Sequence, residues 1–327
     1  MTVPTVERFD VGKHPAGREP VFILSPPCTF SWLVAAMLGQ HPDAYALPEL
    51  HLLRTETVRE WLRLCRTESF EMDQGLVRAV AELCFGGQTE QTALEARGWL
   101  QRRANVTTGL VLEQLAERVA PRVILERSPS YVYSQAILQR VREMFPNAGF
   151  VHLTGHPRTY GETVMTSLAQ RGIGTDPSSD WLAHLASFPV DESGASGDVP
   201  DPQRAWLVLN RNIADFLAAV PDDQQRRIKG EDVLEGDRGC LASFAEWLGL
   251  RTDGSAVEAM RHPEGSPYLR PGPANASLGS DVFMFGGADY PTKWRVPQTL
   301  DGAVSWRSDG AELMPAVKEL AAELGYR

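Results

Sequence analysis

Short solid apolar runs alternate along the chain with longer stretches in which apolar residues recur three and four apart. The first run, Val21-Phe22-Ile23-Leu24, is β-branched and aromatic-rich and stops at Ser25-Pro26-Pro27, where two prolines end a central strand. From Ser31 the period turns helical, with Leu33, Met37 and Leu38 on one face and a stop near His41-Pro42. Helical spacing continues over 54–66, 74–85, 91–103 and 109–119, with a break at Gly86-Gly87. Arg122-Val123-Ile124-Leu125-Glu126 predicts a second strand. Ser128-Pro129-Ser130 then leads into a helix that buries Ile137, Leu138, Val141 and Phe145. Phe150 to Leu153 predicts a third strand, followed by Pro157 at the first position of a helix. A helix over Trp206–Val220 places Trp206, Asn210 and Phe216 on its packing face. Arg227-Ile228-Lys229 is a fourth strand, and helices follow at Cys240–Leu248 and Ala311–Leu324.

Strands alternating with helices predict an α/β fold: a short parallel sheet flanked by helices, in one domain over residues 21–327 behind an N-terminal tail at 1–20. Pro189 to Gln203 predicts a surface loop, and the long Gly/Pro/Ser-rich stretch from Gly265 to Pro291 a lid or an excursion. The first strand–loop–helix is the natural ligand end of such a sheet.

Composition narrows the class. The chain has 327 residues, 43% apolar and 23% charged, enough to bury a large core. Asp plus Glu outnumber Lys plus Arg, 42 to 32, for a net charge of -10, which argues against a nucleic-acid or anionic-membrane binder. No apolar run approaches the roughly 18 residues of a membrane span, and residues 1–20 lack the apolar core of a secretory signal. The four cysteines, Cys28, Cys65, Cys84 and Cys240, form no C-x-x-C pair and have no His at zinc spacing, so reduced thiols in a cytoplasmic protein without a metal are expected.

Five segments carry a family resemblance. Phe22 to Leu33 resembles the 5′-phosphosulfate loop of sulfotransferases that use 3′-phosphoadenosine-5′-phosphosulfate (PAPS). Glu126-Arg127-Ser128-Pro129-Ser130-Tyr131 is similar to the family's D-K-[ST]-P-[ST]-Y, and His156-Pro157-Arg158 with Glu162-Thr163 to its 3′-phosphate stretch. Lys229 to Leu234 resembles R-Y-E-D-L. Pro48-Glu49-Leu50-His51-Leu52-Leu53 resembles the sulfotransferase domains of modular polyketide synthases, which sulfonate a β-hydroxyl before an elimination that makes a terminal alkene. The resemblance implies the sulfotransferase-type (P-loop-like) α/β fold and a small-molecule or carrier-bound substrate.

Several family positions are changed. The resemblance puts the loop's basic residue on Cys28, its glycine on Phe30 after Thr29, and its two hydroxyls on Ser31 and Trp32. It puts the 3′-phosphate arginine on Gly155 and the partner serine on Thr163. Two lost charge-assisted bonds, at about 1.5–3 kcal/mol each, weaken PAPS binding by roughly two to four decades if additive. Arg127, Arg158, Lys293 and Arg295 are the candidate replacements.

What the resemblance implies for chemistry is His51 as general base, suited by an imidazole that titrates near neutrality, with Glu49 orienting it and Arg127 stabilising negative charge. On an extended segment Glu49 and His51 project to one side. Tyr131 is a substrate-side candidate or only a helix-start residue, and Ser130 is read the same bland way. Cys28 is a thiol at a helix N-terminus, either reactive or filling the space of the missing cation. Phe30 and Trp32 floor an apolar site or close a redundant one. His156 is expected buried, donating to backbone, and the acidic residues around Asp232 to cap a helix. Three functions follow in order: an enzyme without PAPS that eliminates or cyclises a hydroxyl- or acyl-bearing natural product, a PAPS-dependent sulfotransferase, or an inactive scaffold.

Overall fold

The computed structural model describes residues 19–68, 72–171, 201–279 and 299–327. Most of the expected tail, most of the 189–203 loop, residues 280–291, Lys293 and Arg295 lie outside them. Five strands, β1 (Val21–Leu24), β2 (Ala44–Ala46), β3 (Val123–Glu126), β4 (Gly149–Thr154) and β5 (Gln225–Lys229), form one sheet in the order β2-β3-β1-β4-β5. Every pairing is parallel, with Val21 opposite Leu125 on one side and Gly149 on the other.

Both faces of the sheet are covered, which is why β1 reads as a solid apolar run. Phe22 and Leu24 point into the larger core, where Phe22 stacks on Phe150 at 5.7 Å and Phe150 meets Phe216 edge-on at 5.1 Å. Val21 and Ile23 point the other way, against Val34 and Leu38 of α1 (Ser31–Leu38) and Phe244 of a later helix. The larger core is closed by α2 (Val58–Glu68), α3 (Gln74–Phe85), α4 (Glu90–Arg102), α5 (Thr108–Val119), α6 (Gln135–Met144), α7 (Pro157–Arg171) and α8 (Pro202–Leu217). Helix α9 (Arg238–Trp247) packs on the opposite face, and α10 (Pro315–Glu323) ends the order.

The differences from expectation are local. β2 has no sequence signal: three residues, two of them alanine, become a strand because Tyr45 and its neighbours pair with β3. α2 starts at Val58 rather than 54 because Leu52–Arg54 forms a 3₁₀ turn. α8 starts four residues early, capped by Asp201 with Pro202 at its first position, and α10 starts late at Pro315. The helix cap near Asp232 is Asp237, whose carboxylate accepts from the Cys240 amide at 2.6 Å.

The described half of the expected lid is a fixed strap. The buried Arg78 guanidinium donates to the carbonyls of Leu278 (3.0 Å) and Arg270 (2.7 Å), and Gln74 Oε1 accepts from the Leu278 amide at 2.7 Å. The strap then reaches the residue that opens the candidate site: the Glu49 amide donates to the Gly279 carbonyl at 3.0 Å.

Candidate functional site

The site lies at the carboxyl ends of the strands. After β1 the chain turns through Ser25–Phe30 into α1, and the Thr29 hydroxyl closes that turn by donating to the Pro26 carbonyl at 2.7 Å. After β2 it passes through Leu47-Pro48 to Glu49 and His51. After β3 it enters Arg127–Tyr133, of which Pro129–Tyr133 is a 3₁₀ turn. Three non-glycine residues among those described have positive φ: Cys28 (63°), Phe30 (56°) and His51 (49°). Each such conformation costs of order 1–3 kcal/mol, and all three fall on the first and second of these connections.

Arg127 joins these connections. Its Nη1 donates to Glu49 Oε1 at 2.6 Å and to Ser31 Oγ at 3.3 Å, with the Arg127 side chain 3% and Glu49 18% exposed. Burial by itself would raise the Glu49 pKa, but the charge of Arg127 and then His51 hold it down at about 2. His51 Nε2 stands 3.5 Å from Glu49 Oε2, and its Nδ1 is 2.7 Å from Ser130 Oγ. Glu49 and His51 do face each other, yet not through an extended segment: His51 is left-handed and precedes the 3₁₀ turn at 52–54.

Beneath this chain lies a buried acid that sequence reasoning did not single out. Glu126 Oε1 accepts from Ser128 Oγ at 2.5 Å and from Tyr131 Oη at 3.3 Å. Burial raises its pKa to about 8, against the opposing effects of Ser128, Tyr131 and Arg127. Tyr131 is fully buried, and its oxygen accepts from the Leu53 amide at 3.2 Å. Ser130, read from sequence as a helix-start residue, is the partner of the His51 ring.

The remaining predicted residues separate. Cys28 and Phe30 are buried at the start of α1, where Phe30 takes the N-cap position. Trp32 is half-buried and lines a narrow crevice with Arg127, Leu47, Pro48, Tyr268 and Leu269. Arg158 is engaged by backbone carbonyls: Nε donates to the Thr299 carbonyl at 2.6 Å, Nη1 to Ala303 at 2.7 Å, and Nη2 to Asp301 at 2.7 Å and to Gly302. Four of its five N–H groups thus hold the segment 299–303. Thr163 donates to the Thr159 carbonyl one turn back at 2.8 Å.

Behind Gly155, His156 is buried and accepts from the Arg158 amide through Nδ1 at 3.2 Å, where donation to backbone was expected. Its own amide donates to Glu231 Oε1 at 2.7 Å, and Tyr326 Oη donates to Glu231 Oε2 at 3.0 Å. Burial, then Arg158 and Lys229, push the His156 pKa down to about 4. Burial does the same to His152, also to about 4, although Nε2 meets Asn210 Oδ1 at 3.0 Å.

These groups set a pH profile. The two histidines stay neutral when folded, so the unfolded chain binds more protons below pH 6.5 and stability falls as pH drops toward 4. Glu126 has the opposite sign. Folded, it keeps a proton that the unfolded chain has lost above about 4.5, so stability falls as pH rises toward 8; Glu231, also raised by burial, adds to this. Each group contributes at most ~1.4 kcal/mol per pH unit within its window. Below pH 6.5 the two histidines oppose Glu126 and Glu231, and above it only the two carboxyls act, so thermal stability should decline from about pH 6.5 toward pH 8. Glu126→Gln should flatten that alkaline decline in a melting series; an unchanged slope would mean Glu126 is ionised in the folded protein.

The profile of the "Sulfotransferase family" matches residues 20–254, and the chain belongs to that family. Two solved structures align over nearly the whole chain. The sulfotransferase domain from the curacin biosynthetic pathway is 22% identical, covering 94% of this chain and 98% of its own, with a TM-score of 0.67. The sulfotransferase domain from the Synechococcus PCC 7002 olefin synthase is 23% identical, covering 98% and 99%, with a TM-score of 0.68. At those identities the likeness establishes the α/β architecture. No curated protein matches the sequence. Among the described residues, no helix is long and apolar enough to cross a membrane.

Proposed function

We propose that this protein is an enzyme of small-molecule, polyketide-like biosynthesis that works without PAPS and uses His51 for acid–base chemistry on a hydroxyl- or acyl-bearing substrate. The observation that carries this reading is the Arg127–Glu49–His51 chain, built beside a phosphosulfate-type loop whose cations are gone or engaged. PAPS needs positive charge at both ends. Cys28 and Gly155 stand where the family has cations, Arg158 is committed to carbonyls, and Arg127 is neutralised by Glu49. The buried Phe30 side chain at the N-terminus of α1 does not suit a sulfuryl group there. The described residues therefore fit the cofactor poorly.

His51 can serve as the base in one tautomer. With Nδ1–H donating to Ser130 Oγ, Nε2 keeps its lone pair, 3.5 Å from Glu49 Oε2, to take a substrate proton. Glu49, held ionised, stabilises the imidazolium that forms. Arg127 fixes Glu49 in place, in contrast to the direct stabilisation of substrate charge expected from sequence. Removal of the Cα proton of a β-hydroxyacyl thioester and departure of the protonated β-hydroxyl as water give an α,β-unsaturated thioester. Attack of a hydroxyl, its proton taken by His51, on the thioester carbonyl of the same molecule gives a lactone and releases the protonated thiol.

The test is incubation with β-hydroxyacyl thioesters, free and carrier-bound, read by mass spectrometry for dehydrated or cyclised product without added PAPS. His51→Ala should lose roughly 10²–10⁴-fold in turnover. A product that forms only when PAPS is supplied would favour the second reading, a PAPS-dependent sulfotransferase, which the family match over residues 20–254 supports. Wild-type turnover in His51→Ala would remove the base assignment.

A further inference from the structure

Glu126 takes no part in the proton chemistry above, and its side chain is fully buried, so it touches no substrate. Its place becomes clear from counting hydrogen-bond donors. The Ser128 hydroxyl has one proton and two lone pairs. The proton goes to Glu126 Oε1, and the lone pairs take the amides of Leu50 at 3.1 Å and His51 at 2.9 Å. The Tyr131 hydroxyl gives its proton to the same carboxyl oxygen and accepts the Leu53 amide. One oxygen at the end of β3 therefore orients two hydroxyls that hold three amides of the segment 50–53. Within that segment His51 sits at a φ of 49°, a conformation that a non-glycine residue keeps only when its surroundings fix it. Two successive amides converging on one Ser128 oxygen are what fix it here.

We propose that Glu126 is a positioning residue, acting through Ser128 and Tyr131 to set the left-handed backbone at His51 and so aim the imidazole between Ser130 and Glu49. The proposal rests on the assignment of His51 as base only for its bearing on catalysis. Removing the Glu126 acceptor strands two buried hydroxyl protons, and a hydroxyl that rotates to find a new acceptor turns a lone pair away from the amides. A glutamine keeps an acceptor oxygen in the same place, so Glu126→Gln should preserve the arrangement. Glu126→Leu removes the acceptor, Glu126→Asp withdraws it by one methylene, and Ser128→Ala removes the relay while leaving the acid.

The experiment is nitrogen-15 NMR of histidine-labelled protein, with the His51 signal assigned from its loss in His51→Gln. Glu126→Gln should leave the His51 ring shifts and titration midpoint at their wild-type values. Glu126→Leu and Ser128→Ala should move the midpoint by about half a pH unit or more, while the exposed His262 stays in place as an internal control. If Glu126→Leu does not fold, Glu126→Asp and Ser128→Ala carry the test. Unmoved His51 signals in folded Ser128→Ala and in either acid variant would overturn the proposal. Moved signals together with normal turnover in His51→Ala would leave the positioning intact and refute the base assignment; unmoved signals with turnover lost in His51→Ala would do the reverse.

Discussion

Gly75→Ala should unfold the protein or cost it at least ~4 kcal/mol, the range reserved for changes that the backbone cannot absorb. A Cβ on Gly75 would stand 1.8 Å from the Glu49 carbonyl oxygen and 2.8 Å from its carbonyl carbon. Glu49 cannot step back. Its amide is held by Gly279, and the next two amides are held by Ser128. Gly279 is crowded in turn, since a Cβ there would meet the Gly75 Cα at 2.4 Å. Helix α3, the strap and the Glu49–His51 segment thus touch backbone to backbone. Gly86→Ala is the control: it has open space but a φ of +81°, and should cost only about 1–2 kcal/mol. Urea unfolding of the two variants checks both values, and a Gly75→Ala protein as stable as Gly86→Ala would refute the packing described.

Arg127→Met should lower stability by about 3 kcal/mol at neutral pH, because it leaves the Glu49 carboxylate without its cation. The Glu49 pKa of about 2 lies below its unfolded value, so the pair stabilises above about pH 4.5 and its contribution fades as pH falls toward 2. The Arg127→Met defect should therefore shrink in acid. Adding Glu49→Gln should recover much of the loss, since a neutral amide tolerates the site better than an unpaired carboxylate. A defect below 1 kcal/mol at pH 7, or one that does not depend on pH, would mean solvent already screens the pair.

The parts of the molecule that were legible from sequence are those whose residues decide their own fate. Val21–Leu24 is a solid apolar run, and Phe150–Leu153 is apolar except for the buried His152, because both sheet faces are covered, and the fold class follows from them. Ala44–Ala46 was not legible, because a three-residue edge strand exists only through its partner β3. The same division runs through the site. The Pro48-to-Leu53 pattern pointed to Glu49 and His51, and their proximity is seen, but His51 reaches it by a left-handed turn that depends on Ser128 across the sheet end. Arg158 looked like a spare phosphate ligand; its partners are carbonyls of a segment far along the chain, which no local pattern reveals. Glu126 lies in the Glu126–Tyr131 motif, but its place depends on burial and on the Ser128 and Tyr131 hydroxyls that donate to it.

Calorimetric titration with 3′-phosphoadenosine-5′-phosphate, the product form of PAPS, tests most directly whether the cation-poor loop still holds a nucleotide. Chemistry without PAPS requires no heat of binding into the millimolar range, and a gain of affinity when Cys28→Arg, Phe30→Gly and Gly155→Arg are introduced together. Micromolar binding by the unmodified protein would contradict it.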